Sequence, residues 1–180
     1  MQARRVEDHV IDAALAGDEG ALAQMAEAWL PTVLQWCVRL GGPSIDAEDA
    51  ATDVMMTFVR RHHTIHDRRR VSAWLFATCR RTVANYRRSA WWRRWLPGAS
   101  YDTATTEPLD ADLDRAERAD RVFAALERLK VRDREVLTLC YLEDRPLLEA
   151  AQILEIPEGT VKSRLASARD RFRRVYEARS

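Results

Sequence analysis

No run of 18 or more apolar residues occurs in the 180-residue chain, so no membrane-spanning helix is expected from it. The opening residues, Met1-Gln2-Ala3-Arg4-Arg5, lead into mixed polar sequence without the apolar stretch of a secretory leader. Cysteine is scarce: Cys37, Cys79 and Cys140 are odd in number, far apart in sequence and set among apolar neighbours. That pattern predicts buried, reduced thiols in a cytoplasmic protein, not a disulfide framework. There is no Gly-rich phosphate loop, nucleophile elbow or catalytic carboxylate pair. His62, His63 and His66 include one i, i+4 pair, but no carboxylate or cysteine is placed to complete a ligand set. The expectation is a chain that is no enzyme, takes no small-molecule substrate and holds no metal or cofactor.

Glycine and proline number six each and fall in a few places, notably Gly41-Gly42-Pro43, Pro97-Gly98 and Pro157 to Gly159. Between those points the apolar residues recur at helical spacing, which predicts an all-α protein. Helices are expected over about Val6 to Ala16, Glu19 to Leu40, Asp46 to His62 and Ser72 to Trp92. They resume over Asp114 to Lys130, Asp133 to Leu142, Leu147 to Leu154 and Glu158 to Glu177. Ser44 or Asp46 is the expected cap of the third. Pro97 to about Leu113, with Pro, Gly, Ser, Thr and Asp and little periodicity, reads as a linker.

The formal net charge of +1 conceals strong segregation. Residues 1–67 carry 5 basic and 11 acidic side chains, and residues 68–101 carry 9 Arg and no acid. Residues 102–120 carry 2 basic and 7 acidic side chains, and residues 121–180 carry 13 and 10. A near-neutral chain sorted this way is suited to partners of opposite charge.

From Leu147 to Leu165 the sequence has the spacing of a helix-turn-helix. A short helix ends at Leu154, and Pro157 suits the first turn of the next. Ala151 is small where two helices cross, and Ile156 and Val161 can plug the angle between them. In the second helix Val161, Leu165, Ala168 and Phe172 share the packing face. Ser163, Ala166, Ser167, Asp170 and Arg174 point outward, with Lys162 and Arg164 at the flanks. Such a face offers close approach and donors for base edges and phosphates in a major groove. Glu155 stands where such turns often have Gly, and a non-Gly residue at positive φ costs on the order of 1 kcal/mol.

Residues 68–95 interleave arginine with aromatics, including four of the six tryptophans. Arginine attracts the phosphate backbone, and flat rings offer platforms for unstacked bases, worth roughly 1–3 kcal/mol per base. Some of these aromatics, such as Trp74, are also candidates for the core. The helix from Asp46 is different. Ala47, Ala51, Val54 and Phe58 form its packing stripe, while Asp49, Asp53, Met56 and Arg60 gather opposite, a surface suited to a basic protein partner.

These parts, in this order, resemble the extracytoplasmic-function (ECF) sigma factors of the sigma-70 family over nearly the full chain. Residues 46–88 resemble the family's second conserved region through Asp46-Ala47-Glu48-Asp49-Ala50, Phe58-Val59-Arg60, Ala73-Trp74-Leu75 and Tyr86-Arg87-Arg88. Residues 126–173 resemble its fourth region. The matching positions are Leu126, Leu129, Arg134-Glu135-Val136-Leu137, Tyr141, Glu149-Ala150-Ala151, Gly159-Thr160-Val161-Lys162-Ser163-Arg164-Leu165 and Ala168-Arg169. The resemblance implies a promoter-specific initiation factor whose partners are core RNA polymerase, promoter DNA and an anti-sigma factor. Asp49, Asp53, Met56 and Arg60 would dock on the polymerase clamp. Arg68, Arg69, Trp74, Arg80, Arg81, Asn85, Arg87 and Arg88 would bind and open the minus-ten element. Thr160, Lys162, Ser163, Arg164 and Ser167 would read the minus-thirty-five element. The acidic linker would thread into the polymerase. Arg81, Asn85, Lys130 and Ser167 depart from the residues the family usually has there, so no promoter consensus carries over.

The expected architecture is two small helical domains, 1–96 and 114–180, joined by a flexible acidic linker, 97–113. A stand-alone helix-turn-helix regulator is one rival, but it leaves the acidic helix and the Arg-aromatic segment without a role. A single-strand-binding module built on residues 68–95 is another, and it leaves the C-terminal unit idle.

Overall fold

A computed structural model describes residues 6–94 and 121–178. The expected linker, both domain boundaries and Trp95 lie outside the described residues. Among those described, all regular structure is helical. The first four helices are α1 (Asp8–Leu15), α2 (Glu19–Gly41), α3 (Ala47–Arg61) and α4 (Val71–Arg94). Residues 121–127 form α5, followed by α6 (Val131–Leu137), α7 (Leu147–Leu154) and α8 (Glu158–Glu177).

Local chemistry sets most of these boundaries. Asp18 caps α2 by accepting from the Ala21 amide at 2.8 Å. Gly42, at φ 66°, stops α2 in a conformation that suits glycine. Asp46, not Ser44, caps α3, accepting from the amides of Glu48 and Asp49 at 3.0 Å each. The helix expected over 133–142 is divided: α6 starts two residues earlier and ends at Leu137, and Thr138–Leu142 forms a π-helical turn.

Trp36, Phe58, Phe76, Met25 and Leu75 are almost fully buried where α2, α3 and α4 meet. Trp36 meets Phe76 edge-on at 5.1 Å, and Trp74 meets Phe58 edge-on at 6.2 Å. Each such burial is worth roughly 1.5–3 kcal/mol, more than any exposed polar contact in the unit, so apolar packing fixes the angle of α3 against α4. The second unit buries Val136, Leu139, Ala150, Leu154, Val161 and Ala168. Cys37 and Cys79, distant in sequence, touch with sulfurs 3.3 Å apart and are fully buried as free thiols. The hydrogen bond with Cys37, together with burial, pushes the Cys79 thiol well above its ordinary range. It is a core group, not a nucleophile.

The two units are in contact. Arg39 near the end of α2 donates to Glu143 at 2.6 Å, and Arg80 of α4 donates to Glu135 of α6 at 2.7 Å. Arg145 donates to the Ser72 hydroxyl at 3.0 Å. Both glutamates of this seam are less than a tenth exposed.

Candidate nucleic-acid interface

The helix-turn-helix forms as its spacing predicts. Glu155 takes the left-handed conformation at φ 56° directly after α7, so the turn keeps the shape that usually calls for glycine. The Ile156 amide donates to the Ala151 carbonyl at 3.1 Å across it. Val161 and Ala168 are fully buried, and Leu165, Phe172 and Ile156 pack against the same core. That anchoring presents the opposite side of α8 outward. Lys162, Ser163, Ala166, Ser167 and Asp170 are exposed, while Thr160 and Arg164 are half-buried at the edges. Asp133, fully buried on α6, accepts from Arg171 of α8 at 2.8 Å and holds the far part of the helix. Arg169 donates to the Tyr141 hydroxyl at 3.3 Å.

The eight candidate residues of the Arg-aromatic segment separate into two groups. Arg81, Asn85 and Arg88 follow i, i+4, i+7 spacing along α4, are exposed, and have no carboxylate partner among the described residues. The others are engaged. Arg68 pairs with Asp12 at 2.7 Å and with Asp8 at 3.0 Å, both on α1. Those two carboxylates raise its already high pKa. Arg69 reaches Asp67 at 3.2 Å, and the Arg69 amide and guanidinium hold the Asp67 carboxyl below its usual range. Arg80 is committed to Glu135, and Arg87 donates to the carbonyls of Leu40 and Gly41 at 3.3 and 3.5 Å, closing the end of α2. Trp74 is half-buried against Phe58. The arginine run without a local acid is thus partly neutralised by acids from α1, from α6 and from Asp67, its immediate neighbour in sequence. Among those acids, only Asp67 adjoins the run; the others are brought in by the fold.

The acidic helix α3 keeps its expected sidedness. Ala51, Val54 and Phe58 are buried, and Asp49, Asp53, Met56 and Arg60 are exposed, Met56 to 49 %. None of Asp46, Asp49 and Asp53 forms an ion pair among the described residues. Sequence reasoning missed one contact at this face: the Tyr86 hydroxyl of α4 donates to Asp53 at 2.8 Å. Burial, then the Asp53 carboxylate, pushes the Tyr86 phenol up to about 12.

No group of three or more metal-ligating side chains gathers among the described residues, and none of their helices is long and apolar enough to cross a membrane.

Residues 25–93 match the model of sigma-70 region 2, and residues 119–172 match that of sigma-70 region 4. The chain belongs to the sigma-70 family. Within it the chain is of the ECF type, as its curated relatives indicate. It is 29 % identical over 159 residues to the ECF RNA polymerase sigma factor RpoE of Cereibacter sphaeroides, covering 87 % of this chain and 86 % of that protein. It is 29 % identical over 174 residues to SigM of Mycobacterium tuberculosis, covering 95 % and 85 %. Among solved structures it superposes with TM-score 0.70 on CnrH in its complex with the cytosolic domain of CnrY, at 21 % identity and 96 % and 97 % coverage. It superposes with TM-score 0.69 on Bartonella quintana RpoE in complex with the anti-sigma factor NepR, at 23 % identity and 86 % and 96 % coverage.

Proposed function

We propose that this chain directs core RNA polymerase to specific promoters and helps open the DNA, acting by binding and supplying no reacting group. The observation that carries this reading is α8. Its inner side is locked by Val161 and Ala168, and its outer side presents Lys162, Ser163 and Ser167 to a groove. In this reading Thr160, Lys162, Ser163, Arg164 and Ser167 contact the minus-thirty-five element. Arg81, Asn85 and Arg88 contact the minus-ten region first, and Arg68, Arg69, Arg80 and Arg87 join as their present partners release them. Trp74 holds α4 on α3 and leaves base stacking to other rings. The un-neutralised carboxylates Asp49 and Asp53, with Met56 and Arg60, dock on core polymerase. The protein works in the cytoplasm, where polymerase and promoter meet, and an anti-sigma factor restrains it. The likeness to Bartonella quintana RpoE, solved with the anti-sigma factor NepR bound, supports that partner class.

The two promoter elements lie about 25 base pairs apart, roughly 85 Å of duplex. A compact body of this length is only about 40 Å across. Reading both elements therefore requires the seam between the two units to part.

Reconstitution with core polymerase on a promoter library is the test. Run-off transcripts from a defined two-part motif are expected. Tight duplex binding that is indifferent to polymerase would overturn the reading in favour of a stand-alone regulator.

A further inference from the structure

The acidic side of α3 lies beside an arginine-rich helix, yet its carboxylates are not neutralised. α3 packs on α4, which carries Arg80, Arg81, Arg87 and Arg88, but none of these reaches Asp46, Asp49 or Asp53. The donor that does reach Asp53 is the phenol of Tyr86, which is neutral. An arginine there would fix the carboxylate and cancel its charge. A phenol fixes the carboxylate and leaves the full negative charge in place, with Oδ1 open to a second donor. Tyr86 itself is half-buried on α4, between the exposed Asn85 and the anchored Arg87.

We infer that Tyr86 is a positioning residue for polymerase docking: its hydroxyl holds the Asp53 carboxylate in the orientation that a basic side chain of core polymerase meets. This rests on the reading of α3 as the docking surface. Because the bond joins the docking helix to the promoter-opening helix, it also couples the two. Whatever polymerase does to Asp53 is felt at Tyr86, and the coupling is reciprocal. A carboxylate that arrives already oriented loses less freedom on docking, and a side chain immobilised only on binding costs roughly three- to tenfold in affinity.

The test compares full-length wild type, Y86F, D53N and Y86F/D53N for binding to core polymerase by fluorescence anisotropy, with thermal unfolding as a control. Y86F is expected to weaken binding roughly three- to tenfold with only a small fall in the unfolding midpoint, because the one bond it removes between α3 and α4 is exposed. In the double variant the loss should equal that of D53N alone, since Tyr86 acts only through Asp53. Additive losses would overturn the proposal. If D53N leaves affinity unchanged, the docking assignment has failed, a different result from additivity. A second readout follows the phenol. The tyrosine titration present in wild type and missing in Y86F should lie near 12. In D53N it should fall yet stay above the ordinary 10, because burial, the larger cause, and the charges of Asp49 and Asp46 remain. No change in D53N would show that the bond does not form and would overturn the proposal as well.

Discussion

Replacing Glu135 and Glu143 together by glutamine should separate the two helical units in the free protein. Arg39 and Glu143 are 17 % and 8 % exposed and meet at 2.6 Å. Arg80 and Glu135 are 31 % and 7 % exposed and meet at 2.7 Å. Charge-assisted hydrogen bonds in such surroundings are worth about 1.5–3 kcal/mol each. The more exposed Arg80 pair belongs at the lower end. The pairs share no partner, so their contributions add, to about 4 kcal/mol. At about 1.4 kcal/mol per factor of ten, the ratio of joined to parted forms should fall roughly a thousandfold. Small-angle scattering reads this directly. The joined form has an expected radius of gyration near 16 Å, and the double variant should exceed it clearly. Glu7→Gln is the control, because its exposed bond to His9 lies within one unit and touches no residue of the seam. The partial burial of the seam makes moderate salt a weak substitute for the mutations. If the double variant scatters like wild type, ion pairing does not hold the seam, and the reasoning fails.

Other perturbations test the separate surfaces. Asp49→Arg with Asp53→Arg should abolish association with core polymerase in a pull-down while leaving the helical circular-dichroism spectrum unchanged. Lys162→Ala and Arg164→Ala should each weaken minus-thirty-five binding by roughly 1–3 kcal/mol where they touch bases, measured by competition against scrambled sites. Glu155→Gly should raise stability by about 1 kcal/mol in thermal unfolding, because glycine relieves the strain at φ 56°.

Much of this was legible in the chain because the responsible signals are local. Gly42 and Pro157 mark helix boundaries within a residue or two, and Asp46 caps α3 through amides two and three positions on. The sidedness of α3 and α8 follows from one period of apolar spacing. The seam was not legible. Glu143 is 104 residues from Arg39, and Glu135 is 55 from Arg80, so no window along the sequence pairs them. Charge counting by segment misled for the same reason: apart from Asp67, just upstream, the acids that occupy the arginine-rich stretch come from α1 and α6. The contact of Cys37 with Cys79 and the burial of the charged Asp133-Arg134-Glu135 run likewise arise only when helices pack. The Tyr86 bond to Asp53 needed the crossing of α3 and α4, which Trp74 and Phe58 set through packing alone.

The prior commitments of Arg68 and Arg80 bear on how this protein will respond to ionic strength. A cation that meets a DNA phosphate releases a condensed counterion, and each release steepens the salt dependence of binding. An arginine that must first leave a carboxylate frees an anionic group that draws an ion back from solution. The slope of log affinity against log salt should therefore be shallower than a tally of arginines suggests, with Arg81 and Arg88 contributing in full.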